Sequence, residues 1–170
     1  IHMSTDCVFS GSKGMYVEHD SADARDLYGL SKLIGEVDYP NAETLRTSII
    51  GHELNSNRSL VDWFLSQQSD VRGFKRAVFS GLPTAEIARV IADFVIPNLE
   101  LTGVYHLSAE PISKYDLLTL IAKIYKKNIT IDEENYFVID RSLDSSKFRV
   151  ASGYSPPSWV ALINNMHNFG

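Results

Sequence analysis

The sequence predicts an α/β chain built on a parallel sheet, and three observations carry that prediction. Within the first 51 residues a strand end, a helix and a second strand follow one another, an order that sets two strands side by side in parallel with the helix crossing between them. The 170 residues, 44% hydrophobic and 22% charged, suffice for an ordinary core and are too apolar for a disordered tail. Further strands and helices continue to the C-terminus without repeats or a low-complexity linker.

Ile1-His2-Met3 runs straight into Ser4-Thr5-Asp6-Cys7-Val8-Phe9 with no turn before it, so the chain opens like a strand already under way. Ser10-Gly11-Ser12-Lys13-Gly14 follows as a turn-rich loop. Leu27, Leu30, Leu33 and Ile34 recur at helical spacing, which predicts a helix from Leu27 to about Glu36 capped by Asp23 or Asp26. Thr44 to Gly51 is a β-branched run ended by glycine and reads as a buried strand. His52 to Arg58 is polar and irregular, so the boundary between two lobes, 1–55 and 56–170, is expected near Asn55.

In the second lobe Leu60 to Gln67 reads as a short amphipathic helix and Val71 to Phe79 as a strand. Ser80 to Thr84 is expected to turn, with Thr84 capping a helix from Ala85 to about Val95. Gly103 to Leu107 is a strand, Ser113 opens a helix to about Lys127, and Ile129 to Ile139 adds a strand. Pro156-Pro157 starts a terminal helix with Trp159, Leu162 and Ile163 inward.

Sixteen Lys and Arg against twenty-one Asp and Glu give a formal charge of -5, which offers no overall attraction to nucleic acid or anionic lipid. The single cysteine, Cys7, excludes an internal disulfide and any cysteine-built metal site. No apolar run approaches the roughly 18 to 20 residues that cross a bilayer, so a cytoplasmic protein without a membrane partner is expected.

The candidate chemistry centres on Tyr28-Gly-Leu-Ser-Lys32. Positions i and i+4 share a helix face, and an ammonium near a phenol stabilises the phenolate, bringing a group of ordinary pKa near ~10 towards use as an acid or base. So short a motif also arises by chance, and its context decides: the hydroxyl pair Ser4-Thr5 closes a strand about two dozen residues upstream, where active-site groups of open parallel sheets gather. The five histidines lack metal-ligand spacing, and no metal site is expected. Asp132-Glu133-Glu134 reads as a solvated loop, and Lys123, Lys126 and Lys127 fit a helix C-terminus. Arg141 and Arg149 could reach a diphosphate, although surface arginines are commoner than ligands.

Ser-Thr-Asp-Cys-Val-Phe-Ser-Gly at residues 4–11, Tyr-Gly-Leu-Ser-Lys-Leu-Ile-Gly-Glu at 28–36 and Leu-Arg-Thr-Ser at 45–48 resemble the extended short-chain dehydrogenase/reductase family, and within it the dTDP-4-dehydrorhamnose reductase group. Leu143-Asp144-Ser145-Ser146-Lys147 resembles that group's final segment. The resemblance implies the C-terminal part of a Rossmann-like NAD(P)-binding fold plus a small α+β substrate-binding lobe. It implies that Tyr28 donates a proton to the substrate carbonyl, that Lys32 holds the nicotinamide ribose and lowers the tyrosine pKa, and that Thr5 hydrogen-bonds the carbonyl oxygen. Ser4, Thr47 and Ser48, with Tyr28 and Lys32, would lie along the cofactor, while Thr5, Asp6, Cys7 and Asn55 would face a nucleotide-sugar substrate.

Two departures stand out. Cys7 occupies the position of the group's usual tyrosine, which changes a substrate-facing contact. No glycine-rich strand–turn–helix for the pyrophosphate precedes the catalytic strand, so the chain is expected to be part of a longer reductase, to bind NAD(P)H only in the full-length parent and to be inactive alone. An open sheet edge left by a missing neighbour would disorder the half-sheet or pair it with another copy, and a homodimer is allowed for. Two alternatives stay open: a non-catalytic binding or regulatory protein on the same fold, and a nucleotide-sugar epimerase or dehydratase of the superfamily.

Overall fold

The computed structural model describes residues 1–54 and 59–169. Strand β1 (His2–Thr5) ends in a 3₁₀ turn (Asp6–Val8), and a long loop leads to helix α1 (Leu27–Ile34). Asp26 rather than Asp23 caps α1, its carboxylate accepting the Gly29 N–H at 2.9 Å. Asp23 instead ties the preceding loop, accepting from the Ser10 N–H and hydroxyl. The run expected as one strand is two, β2 (Glu43–Thr47) and β3 (Ile49–Ile50), broken at Ser48. Helix α2 (Leu60–Ser66) carries its own serine cap, Ser59.

The expected strand 71–79 is likewise split, into β4 (Val71–Phe74) and β5 (Ala77–Phe79), because the two halves serve different sheets. Strand β6 (Leu82–Pro83) leads into α3 (Thr84–Val90), which widens into a π turn (Ile91–Val95) closed by the Ile96 N–H on the Ile91 carbonyl at 2.9 Å. Thr84 does not cap this helix: Pro83 holds the cap position, and the Thr84 hydroxyl donates to the Ile50 carbonyl across the β3–β6 pair. Strand β7 (Gly103–His106), the short β8 (Ile112–Ser113) and α4 (Lys114–Ile124) follow, with Ser113 and Asp116 bonding each other reciprocally at the start of α4. The expected strand 129–139 is two pieces, β9 (Ile131–Glu134) and β10 (Ile139–Asp140), and α5 (Ser146–Ser152) was not read from the sequence. Helix α6 (Trp159–Phe169) closes the chain.

The first sheet has the order β1-β2-β7, all parallel, with Thr5 opposite Thr47 and Arg46 opposite His106. Strand β1 pairs with β2 alone among the described residues, so its other edge is open. One core, including Leu45, Leu82, Val90, Leu107, Phe148 and Leu162, lies between this sheet and α3, α5 and α6. A second, including Val61, Phe64, Leu117 and Ile121, joins α2, α4 and α6. A third and smaller cluster matters most for the site: Val8 and Phe9 are fully buried against Tyr16 and Leu143, with the Phe9 and Tyr16 rings stacked 4.2 Å apart. That cluster pins the turn after β1. No helix among the described residues is long and apolar enough to cross a membrane.

Candidate active site

Thr5 is the last residue of β1 and is buried. Its Oγ1 accepts the Cys7 N–H at 3.1 Å, which shapes the 3₁₀ turn, and lies 3.2 Å from Asp6 Oδ1. Helix α1 packs directly on this turn through Gly29, the one residue of α1 that is buried: a Cβ there would collide with the Cys7 carbonyl oxygen and the Ala24 methyl. The glycine of Tyr-Gly-x-x-Lys therefore lets Tyr28 and Lys32 approach the strand end. Tyr28 is 56% exposed, and Lys32 Nζ donates to the Met3 carbonyl at 2.6 Å, leaving two N–H bonds of the ammonium free of that contact.

The hydroxyls expected along a cofactor are differently placed. Ser4 Oγ donates to Glu36 Oε1 at 2.6 Å, and Thr47, also buried, donates to the Ser48 carbonyl at 3.3 Å. Ser4 belongs to a buried network. Arg46 grips Glu36 through two bonds of 2.8 and 2.7 Å and reaches His106 Nε2 at 3.4 Å, while His106 Nδ1 lies 2.9 Å from the Tyr16 carbonyl. Burial opposes the Glu36 charge, but Arg46 and Ser4 together hold its carboxyl below the usual range. Burial, reinforced by Arg46, pushes His106 down against the opposing pull of Glu18 and the Tyr16 carbonyl. The Tyr16 carbonyl can only accept, so His106 carries its proton on Nδ1.

At the end of the sheet opens a cavity of about 420 Å³. Asp6, Cys7 and Ser48 line its inner end. Arg72 of β4, Lys114 of α4 and Arg141 after β10 line its walls, and none of the three makes an ion pair among the described residues. Trp63, Phe74 and Phe137 supply aromatic surface, the last two with ring centroids 5.3 Å apart. Arg141 is aimed by the protein: its Nε donates to the Phe9 carbonyl at 2.9 Å and its Nη1 to the Cys7 sulfur at 3.4 Å. Burial raises the Asp6 carboxyl above its ordinary range against the pull of Thr5, Cys7, Arg141 and Lys114, and burial together with Asp6 raises the Cys7 thiol. Cys7 is therefore a neutral thiol and no nucleophile. Asn55 lies outside the described residues.

Residues 1–166 match the family described as the RmlD substrate binding domain. The chain belongs to that family. It is 30% identical over 139 residues to the methionine adenosyltransferase 2 subunit beta of Danio rerio, a match covering 74% of this chain and 43% of that protein. The dTDP-4-dehydrorhamnose reductase of Bacillus anthracis str. Ames, solved in complex with NADP, superposes with a TM-score of 0.83 at 18% identity, over 99% of this chain and 65% of that one. A hypothetical dTDP-4-dehydrorhamnose reductase from Sulfolobus tokodaii gives 0.73 at 28% identity, over 93% and 60%. The chain thus spans under half of the first relative and less than two thirds of the other two. Family and Rossmann-like fold agree with the resemblance drawn from the motifs. In this RmlD-family chain Tyr28 is exposed and Lys32 is anchored at the strand end, whereas Ser4 and Thr47 spend their hydroxyls on protein partners.

Sequence reasoning passed over Arg72, Lys114 and the aromatic wall, and left Arg141 among surface arginines. Arg72 and Arg141 are 69 positions apart in the chain, and only the fold brings them to one cavity.

Proposed function

We propose that this chain is the catalytic and sugar-nucleotide-binding portion of a nicotinamide-dependent reductase that acts on a nucleotide-linked 4-keto-deoxysugar in the cytosol, for polysaccharide synthesis. The observation that carries the reading is the cavity at the strand end: three cations without ion-pair partners among the described residues, aromatic surface, and Asp6 and Cys7 at its inner end. Unpaired cations facing one cavity call for a polyanion, and a diphosphate takes two of them at once. Trp63, Phe74 and Phe137 suit the flat face of a base.

In this reading the lobes divide at 1–55 and 56–170, and the substrate lies between them. When bound, the nicotinamide supplies the hydride. The Tyr28 phenol gives its proton to the carbonyl oxygen, Lys32 steadies the phenolate that remains, and Thr5 donates a hydrogen bond to the same oxygen. Tyr28→Phe in the full-length protein is expected to lower NAD(P)H oxidation with a dTDP-linked keto-sugar by roughly 10²- to 10⁴-fold with little change in KM. Unchanged turnover would overturn the assignment.

A second reading, a regulatory or structural subunit on the same fold, is favoured by the 30% identity to a protein named as a methionine adenosyltransferase subunit. It predicts that Tyr28→Phe leaves partner binding and the partner's activity untouched.

A further inference from the structure

The cavity at the strand end continues past Arg72. A second cavity of about 660 Å³ adjoins it, and the two share Trp63 of α2, Arg72 and Phe74 of β4, and Phe137. One groove therefore runs from Asp6 and Cys7, past Lys114 and Arg141, to a stretch where three of the four shared side chains are aromatic. A ligand whose diphosphate met the cations would carry its nucleoside among these rings.

Phe137 belongs to Asn135-Tyr136-Phe137-Val138, the run that joins β9 to β10. Tyr136 is 96% exposed, Phe137 50% and Val138 55%, so three consecutive apolar residues stand open to solvent beside the groove. Such a run is unfavourable unless something covers it. Its ends are fixed: the Glu134 carbonyl accepts the Lys75 N–H at 2.9 Å, and the Ile139 N–H donates to the Arg76 carbonyl at 3.1 Å. Between them the Glu134 carboxylate holds the Tyr136 N–H, while the N–H groups of Phe137 and Val138 have no hydrogen-bond partner among the described residues. The middle of the run can therefore shift without breaking a ladder bond. Phe137 is not locked against Phe74 either: their planes are inclined at 58°, a contact neither stacked nor edge-on.

We propose that residues 136–138 form a strap that folds over a nucleotide lying in the groove, with Phe137 covering the base against Trp63. A base has two flat faces, and the groove offers rings from different elements to cover them, Trp63 from α2 and Phe137 from the strap. The open groove gives the base Trp63 and Phe74, and closure adds Phe137 with Tyr136 behind it, so the ligand gains more from the closed form and draws the strap in. Phe137 lines both cavities, which makes the occupant of the groove the group that covers the run. That this occupant is a nucleotide rests on the function proposed above; the closure itself requires no reduction.

Chymotrypsin, which cuts after exposed aromatic residues, reads the strap directly. The free full-length protein should be cut after Tyr136 or Phe137. Whichever of dTDP, UDP and GDP calorimetry shows to bind should slow that cut by at least about tenfold at saturation, while the cut after the exposed Leu99, which lines neither cavity, keeps its rate. Phe137→Ala, at a half-exposed position, should weaken nucleotide binding roughly tenfold with the urea midpoint unchanged, and Phe137→Trp should keep the affinity. A bound nucleotide that leaves the cut unchanged overturns the strap alone, as does a Phe137→Ala protein that binds like the wild type. Protection that follows protein concentration and not nucleotide gives the run to a second copy and also overturns it. Binding of none of the three nucleotides overturns the strap together with the reading on which it rests. Nucleotide protection in a protein that reduces no keto-sugar supports the strap and counts against the reductase reading alone.

Discussion

Two polar clusters flank the strand ends, and they are built to opposite rules. Beneath the sheet, Ser4, Glu36, Arg46 and His106 are buried or nearly so, and every side-chain contact is matched: a doubly bonded carboxylate, a guanidinium shared between acid and imidazole, an imidazole on a carbonyl. In the cavity beyond the sheet, Arg72 and Lys114 face space without ion-pair partners among the described residues, Arg141 is spent partly on a weakly accepting thiol, and burial raises the Asp6 carboxyl above its ordinary range. The first cluster is complete without a ligand and serves to dock α1 on β1 and β2. The second is incomplete as it stands, which is the mark of a surface arranged for something else to bind.

The sharpest way to break this contrast is Arg46→Leu. Glu36 would remain buried with its partner gone, and removing one member of a buried pair costs about 3–5 kcal/mol. Urea unfolding of the variant should show that loss, and the double variant Glu36→Leu with Arg46→Leu should regain most of it. A loss under about 1 kcal/mol would mean that the lower cluster, too, is loosely held.

Which parts of this were legible in the sequence follows from how far apart the cooperating residues lie. Helix α1 was readable from Leu27, Leu30, Leu33 and Ile34, yet that periodicity misreports its packing: Leu27 is 85% exposed and Ile34 84%, and the helix seats itself through Gly29 instead. Period gave the element and its approximate ends, while a residue with no side chain decided how it docks. The Tyr28–Lys32 pair was visible because both members sit on one helix. The buried network was not, since Glu36, Arg46 and His106 stand on three elements and each alone is an unremarkable polar residue. The split at Lys75-Arg76 has no glycine or proline to announce it, and is set by β4 pairing with β9 while β5 pairs with β8 and β10. Helix α5 buries only Phe148 and has no side-chain bond at its N-cap, so periodicity did not signal it, and its one cue in the sequence is Gly153, which closes the helix in the left-handed region.

A smaller effect distinguishes the clusters by pH. His106 is pushed down in the folded protein and has an ordinary value near ~6.5 in the unfolded chain, so the unfolded state takes up the proton first as pH falls. Stability from this residue is present above the unfolded value and is lost as pH falls through it towards the folded one, with a slope of at most about 1.4 kcal/mol per pH unit. Glu36, held below the carboxylate range, adds a loss of the same sign at more acid pH. Unfolding free energy measured between pH 7.5 and 5.5 should decline in the wild type and flatten in His106→Gln. An equal slope in both proteins would place the titrating group elsewhere.

The smallest expected change in stability comes from Arg72→Ala, and it is the most informative about the cavity. Arg72 is exposed and has no ion-pair partner among the described residues, so its removal should alter unfolding free energy by no more than about 0.5 kcal/mol. If the cavity takes a nucleoside diphosphate, the same substitution should weaken calorimetric binding of dTDP roughly tenfold, the scale of one charge-assisted contact. Stability lost without a change in binding would make Arg72 a structural residue and leave the diphosphate to Lys114 and Arg141. Binding lost with stability intact would separate the two clusters as folding and function are separated: the charges whose removal harms the protein alone lie under the sheet, and those whose removal harms only the complex lie in the cavity.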